Sequence, residues 1–69
     1  MIKKNNNSIL TLTELVILDL MAEGANNEKI AEFLSISTNT VKTHIQKIYK
    51  KMNVKKRIDA ILVYLGVKK

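Results

Sequence analysis

The sequence predicts a small all-α domain of four helices. Its 69 residues include no proline and two glycines, and residues that favour helices are common. Apolar residues recur at helical spacing in four segments, which are separated by short turns rich in Asn, Ser or Gly. No segment requires a strand. The helices are expected at about residues 11–23, 27–34, 38–52 and 56–66.

Capping residues define the ends of the first two helices. Thr11 and Glu14 have the spacing of a capping box, in which each side chain bonds the other residue's amide. Gly24 supplies the left-handed residue that ends the first helix. Asn26 is the expected N-cap of the second helix.

The third helix follows the turn at residues 35–37, with Ser37 as its expected N-cap. Apolar residues at spacings of four, three and four residues predict one buried stripe: Val41, Ile45, Ile48 and Met52. A different set of side chains lies on the opposite face, namely Asn39, Thr43, Gln46 and Lys50, flanked by Lys42 and Lys47. Two short helices with a basic outer face on the second describe a helix-turn-helix.

The fourth helix is apolar on more than one side. Its predicted buried face consists of Ile58, Ile61 and Leu65, with Ala60 and Tyr64 beside them. A four-helix domain buries one face of its last helix, so Leu62 and Val63 are left partly exposed. We expect Leu62 and Val63 to join a dimer interface, the alternative being ordinary surface apolarity.

The charge of the chain is unevenly distributed. Residues 1–35 carry three lysines and five acids, a net charge of −2, whereas residues 36–69 carry nine bases and one acid, a net charge of +8. A polyanion facing the second half is the simplest partner, and nucleic acid is favoured over an anionic membrane or an acidic protein.

Other classes of site lack the necessary residues. Without cysteine there are no disulfides or thiolate metal ligands, and one histidine does not form a metal site alone. His44 is expected to pack or to bond the backbone. No constellation supports an enzyme, no cofactor is expected, and no apolar run suits a membrane span or a signal peptide.

The outer face of the third helix has the chemistry that a major groove requires. Asn and Gln pair with adenine, Lys with guanine, and the Thr methyl contacts thymine. A solvated helix face more often alternates Glu with Lys, yet residues 37–56 contain no acid. Near the end of the helix lies a second basic cluster, expected to meet phosphates: Lys50, Lys51, Lys55, Lys56 and Arg57.

The same residues resemble the LuxR-type (GerE-like) helix-turn-helix family over about residues 10–67. The match rests on Ile-Ser-x-x-Thr-Val-Lys-x-His from Ile36, followed by Lys-Met-x-Val-x-x-Arg from Lys51. It also includes Leu10-Thr11, Ala22-Glu23-Gly24, Asn27, Ile30-Ala31, Leu34, Ile48 and Ala60. The resemblance implies a four-helix domain that reads DNA with its second and third helices and pairs with a second copy through the fourth.

The resemblance also implies roles for individual residues. Lys42, Thr43 and Gln46 are the base-reading positions. At or near the DNA backbone it places Asn27, Thr38, Asn39, Thr40, Lys47 and Lys51. The expected partners are double-stranded DNA and a second copy of the chain, with RNA polymerase as a further candidate and no membrane. The expected location is the bacterial cytoplasm, at the nucleoid.

The sequence allows several interpretations of the domain organisation and of the kind of protein that contains this domain. Residues 1–9 are expected to be a disordered polar leader and residues 10–69 the domain. The chain is either a stand-alone regulator or the output domain of a longer response regulator or quorum-sensing protein. A helical protein–protein adaptor that borrows the fold is the other class, and the acid-free third helix argues against it.

Overall fold

The computed structural model describes residues 9–67, and within them it contains four helices and no strand. The helices are α1 (Leu12–Ala22), α2 (Asn27–Leu34), α3 (Thr38–Met52) and α4 (Arg57–Tyr64). The predicted all-α fold is confirmed, and the bounds of α2 and α3 are those expected. The leader predicted for residues 1–9 lies, except for Ile9, outside the described residues and stays a prediction.

The helices α1 and α4 are shorter than predicted because the residues at their ends act as caps. Thr11 and Lys56 have extended backbones and precede the first helical residue. After the last helical residue come Glu23 and Leu65. A cap residue makes a hydrogen bond to its helix but is not counted as part of it. Helix boundaries predicted from a sequence that include the cap residues are therefore one or two residues too long.

Three of the four helices begin at a side-chain cap. Thr11 accepts from the Glu14 amide at 3.1 Å, and the Glu14 carboxylate accepts from the Thr11 amide at 2.8 Å, which completes the predicted capping box. Asn26 accepts from the Lys29 amide, and Ser37 from the Thr40 amide. The cap of α4, Lys56, makes no such bond. The predicted caps of α1, α2 and α3 are therefore confirmed.

Each helix is followed, one or two residues after its last helical residue, by a residue with a positive φ. These residues are Gly24 (94°), Ser35 (58°), Asn53 (58°) and Gly66 (81°). The amide after each reaches back to a carbonyl of the last turn, as from Ala25 to Leu20 at 3.0 Å, which is the Schellman motif. After α1, α2 and α3 the residues that donate these amides also pack against the core; they are Ala25, Ile36 and Val54.

The core lies between α1 and α3, with α2 and α4 on either side. Both α1 and α3 contact all the other helices, whereas α2 and α4 do not pack against each other in the described part of the chain. The buried apolar residues are Ile17, Leu18, Met21, Ile30, Ala31, Val41, Ile45, Ile48 and Ala60. The predicted stripe on α3 is confirmed, with Met52 half-buried at its end.

The prediction for the buried face of α4 is confirmed for Ile61 and wrong for Ile58 and Leu65. Ala60 is fully buried, with Ile61 and Tyr64 packed beside it, whereas Ile58 and Leu65 are each 56% exposed. Alanine has the smallest side chain in this helix, which allows a neighbouring helix to pack closely against it. At about 100° per residue, Ile58 and Leu65 lie roughly opposite Ala60 and therefore face outward.

Candidate nucleic-acid interface

The turn between α2 and α3 fixes the geometry of a helix-turn-helix. Ser35 has a left-handed backbone that ends α2, and Ser37 caps α3 two residues later. Between them, Ile36 is half-buried and packs against the core. The turn is thus anchored from inside, and its polar neighbours remain on the surface.

The three predicted base-reading residues are all exposed on α3. Lys42, Thr43 and Gln46 lie away from the buried stripe, which includes Val41 and Ile45. The Thr43 hydroxyl donates to the carbonyl of Asn39 at 3.1 Å. Because its proton is used inside the helix, Thr43 offers a neighbour its methyl group and an acceptor oxygen. Its interaction with a base would thus be apolar contact, as with a thymine methyl, or acceptance of a hydrogen bond.

The first turn of α3 presents a polar surface beside this face. Thr38, Asn39 and Thr40 are exposed. The Ser37 and Thr40 hydroxyls lie 2.9 Å apart, and Ser37 also accepts from the Thr40 amide. These groups occupy the positive end of the helix, where an anion such as a phosphate is stabilised.

Lys51, in contrast, is engaged inside the domain. Its Nζ lies 2.8 Å from Oε1 of Glu14, whose side chain is only 3% exposed. Burial alone raises the pKa of Glu14, but the bonds from Lys51 and Thr11 outweigh it and hold the pKa below its usual value of 4.5. The role of Lys51 at the DNA backbone stays a prediction, and the structure adds a role in joining α3 to α1.

Arg57 also has partners within the chain. Its Nη1 donates to Oδ1 of Asn27 at 3.0 Å, and its Nη2 donates to the carbonyl of Ala25 at 2.9 Å. Arg57 and Asn27 are both half-buried. Sequence reasoning assigned both to the DNA backbone separately and missed the bond between them, since the residues are 30 positions apart.

The remaining predicted phosphate contacts are exposed lysines. This set consists of Lys47, Lys50, Lys55 and Lys56. Together with Lys42 they form a basic surface on α3 and on the segment after it. No acid occurs between Ser37 and Lys56, so no carboxylate of this stretch opposes an approaching polyanion.

A comparison with known families agrees with this geometry. Residues 8–64 match the family GerE, described as bacterial regulatory proteins of the luxR family. The chain belongs to the luxR family. The match covers most of the chain, and the expected family is confirmed. It is a family of DNA-binding regulators and not a class of enzymes.

Relatives of this luxR-family domain are regulators by name. It is 43% identical over 58 residues to the nitrate/nitrite response regulator protein NarP of Escherichia coli, covering 84% of this chain. It is 46% identical over 54 residues to the transcriptional regulatory protein DegU of Brevibacillus brevis, and 46% over 52 residues to DesR of Bacillus subtilis. These cover 78% and 75% of this chain. No solved structure matches the chain.

The luxR-family domain is much shorter than these relatives. The aligned residues span 27% of NarP, 23% of DegU and 26% of DesR. Three quarters of each relative therefore lies outside the similarity, and the similarity concerns the helical domain alone.

The outer side of α4 in this luxR-family domain carries several apolar residues. Leu62 and Val63, the predicted dimer residues, are half-buried, whereas Ile58 and Leu65 are more exposed. Ile58, Leu62 and Leu65 recur at spacings of four and three, so they form one stripe, which we call the α4 stripe. Val63 lies about 100° farther round the helix.

Other kinds of site find little support in the described residues. His44 is half-buried on α3, and within residues 9–67 no group of His, Asp or Glu residues is arranged to hold a metal ion. Over the same range, none of the helices has the length and apolar character that crossing a bilayer requires. The expected packing or backbone role of His44 stays a prediction.

Proposed function

We propose that this chain binds double-stranded DNA in a sequence-specific manner as the DNA-reading part of a bacterial transcriptional regulator. The observation that carries the proposal is the exposed, acid-free face of α3 above a helix-turn-helix. In this arrangement α3 enters the major groove, where Lys42, Thr43 and Gln46 reach base edges. The names of the relatives, one a response regulator and two transcriptional regulatory proteins, support the same role.

Contacts with the DNA backbone supply the affinity in this proposal. Thr38, Asn39 and Thr40 meet phosphates from the first turn of α3, and Asn27 does so from α2. The exposed lysines at positions 47, 50, 55 and 56 add charge. If each neutralises one phosphate, the logarithm of the binding constant falls with the logarithm of salt concentration with a slope of about −3.6.

The binding unit that we propose is a homodimer on an inverted repeat. The α4 stripe of Ile58, Leu62 and Leu65 supplies an apolar surface for a second copy, and Val63, about 100° farther round the helix, adds to it from the side. Two-fold symmetry in the protein then matches two-fold symmetry in the DNA. The protein acts in the bacterial cytoplasm at the nucleoid, either alone or as the output domain of a longer regulator, and RNA polymerase is a further partner.

Selection of bound duplexes from a random DNA pool tests this function. We expect an enriched inverted repeat. Against it, Lys42→Ala and Gln46→Ala should each weaken binding by about 5- to 150-fold, the range of one lost base contact, and relax the preference at one position per half-site.

Lys29→Ala is the matched control for these variants. It removes an exposed lysine from α2, off the proposed reading face, and should leave the selected sequence unchanged. Binding insensitive both to salt and to Lys42→Ala and Gln46→Ala would instead indicate a protein–protein adaptor built on this fold.

A further inference from the structure

We infer that Arg57 is a positioning residue for DNA binding: it orients the Asn27 amide toward a phosphate and does not bind a phosphate itself. This inference rests on the proposed function and assigns a specific task to a residue that sequence reasoning placed among the phosphate ligands. It begins from the two bonds that the Arg57 guanidinium makes, to Asn27 Oδ1 at 3.0 Å and to the Ala25 carbonyl at 2.9 Å.

These bonds join two parts of the fold that do not otherwise pack together. Arg57 is the first residue of α4, and Asn27 is the first residue of α2. Because the backbones of α2 and α4 do not come close to each other in the described residues, the side chain of Arg57 spans the space between their first turns. The planar fork of a guanidinium holds two acceptors at fixed positions, which a single ammonium group does not.

The bond to Arg57 decides which end of the Asn27 amide is left for another partner. An asparagine amide has an acceptor oxygen at one end and an NH₂ group with two donors at the other. Arg57 occupies the oxygen, so the NH₂ group is the end left for another partner. In a helix-turn-helix the first helix crosses the DNA backbone, and phosphate oxygens accept hydrogen bonds from asparagine side chains.

Without Arg57 the amide loses this orientation. Asn27 then rotates and presents its oxygen to the phosphate part of the time, which repels the anion. The loss expected for Arg57→Gln is about three- to tenfold in DNA affinity, less than the whole of a hydrogen bond to a charged phosphate because the amide still presents its NH₂ group part of the time. The salt dependence should barely change, since no phosphate-bound cation has been removed.

Lys56→Gln is a matched control because it removes the same charge from the neighbouring position. Lys56 is exposed, and we place it at a phosphate. Its loss should make the salt slope shallower by about 0.9, whereas Arg57→Gln should not. Arg57→Lys keeps the charge but not the fork, so it should bind DNA nearly as weakly as Arg57→Gln.

The decisive experiment is a double-mutant cycle of Arg57→Gln and Asn27→Ala. Affinity would be measured by fluorescence anisotropy on a selected duplex of about 30 base pairs, long enough for two half-sites one helical turn apart. If Arg57 acts through Asn27, then Arg57→Gln costs nothing further once Asn27 is alanine. Additive losses, a slope change of about 0.9 for Arg57→Gln, or full affinity in Arg57→Lys would each overturn the inference.

A variant of Asn27 and the binding of the wild type separate the possible outcomes. Asn27→Asp retains an acceptor for Arg57, so it should stay folded in thermal unfolding yet lose DNA affinity tenfold or more, and unchanged affinity would overturn the inference. If wild-type protein fails to bind any selected duplex, the proposed function itself fails. If wild type binds and Lys56→Gln behaves as described, additive losses in the cycle refute the role of Arg57 alone.

Discussion

Ser35 and Asn53 end their helices in a backbone conformation that residues with side chains rarely adopt. Both have φ of 58°, and both stand where the Schellman motif most often has glycine. In the left-handed region an L side chain crowds its own backbone at a cost of roughly 1–2 kcal/mol, although asparagine tolerates the region better than most residues. Ser35 therefore introduces strain at the turn that positions α3.

We predict that Ser35→Gly stabilises the domain. Relief of the strain exceeds the roughly 0.5–1 kcal/mol that the greater freedom of glycine costs in the unfolded chain, so the net gain is about 0.5–1 kcal/mol. In a domain of this size the melting temperature should rise by about 2–8 °C. Thermal unfolding followed by circular dichroism measures the effect.

The control is the reverse substitution, glycine to serine, after the end of α1. Gly24 has φ of 94°, and no atom lies within 4 Å of a Cβ built there, so Gly24→Ser introduces backbone strain without a side-chain clash. It should lower the melting temperature by a comparable amount. A Ser35→Gly protein that melts at or below the temperature of wild type contradicts the prediction.

At the scale of the helices, one buried ion pair joins the first turn of α1 to the last turn of α3. Glu14 is 3% exposed and accepts from both Lys51 and the Thr11 amide, so capping and ion pairing share one carboxylate. A buried carboxylate left without its cation is costly because its desolvation is no longer compensated. The pair therefore stabilises the orientation of α3 relative to α1.

The lowered pKa of Glu14 predicts that the domain loses stability in acid. In the unfolded chain the carboxyl takes up a proton near its usual pKa of 4.5, whereas the folded protein resists protonation until a lower pH. The stability from Glu14 is thus present above about pH 4.5 and is lost as the pH falls through the folded pKa. Urea unfolding between pH 6 and 3 should show this loss in wild type and a flatter profile in Glu14→Gln.

Lys51→Met and Glu32→Gln complete this experiment. Lys51→Met leaves the Glu14 carboxylate buried without its cation and should cost about 2–3 kcal/mol, less than for a fully enclosed pair because the Lys51 side chain is 23% exposed. Glu32→Gln removes an exposed carboxylate that makes no salt bridge within residues 9–67. A pH profile in Glu14→Gln as steep as that of the Glu32→Gln protein contradicts the prediction.

At the scale of the whole molecule, charge and apolar surface are segregated. The acids lie mainly in the first half of the chain, and the second half holds nine of its twelve bases. On α4 the side away from the core carries the α4 stripe, which has no charged member. Two positively charged copies repel each other less through such a surface than through their basic faces, which remain available for DNA.

We predict that a charge in the α4 stripe prevents pairing of two copies. Ile58→Glu alters a residue that is 56% exposed in the single chain, so folding should be preserved while self-association is lost. Burying a side chain of this size contributes about 1.5–3 kcal/mol, so cooperative binding to an inverted repeat should weaken at least tenfold. Sedimentation equilibrium, with and without the selected DNA, measures both effects, and Leu62→Glu should behave alike.

Phe33→Glu provides the control because Phe33 is an equally apolar, exposed residue on α2, away from α4. It should leave the oligomeric state unchanged. If the wild type is monomeric both free at high concentration and on the inverted repeat, the stripe is ordinary surface and the dimer proposal fails.

The sequence by itself determined the features that depend on neighbours along the chain. The caps at Thr11, Asn26 and Ser37 and the left-handed turn at Gly24 follow from residue type and position, and the capping box and the buried stripe of α3 from spacings of three or four residues. Helical geometry converts such spacings directly into contacts. The same periodicity brought Lys42, Thr43 and Gln46 to one exposed face of the candidate site.

Only the tertiary structure decided which polar and apolar residues find partners far along the chain. Lys51 pairs with Glu14 across 37 positions and Arg57 with Asn27 across 30, and neither pair has a signal in local spacing. The buried face of α4 was likewise set by the packing of its neighbours around Ala60, which is fully buried. A lysine or arginine that is bound within the fold carries the same charge as one that is free to meet a phosphate. Only the neighbours of the side chain in the folded structure distinguish the two.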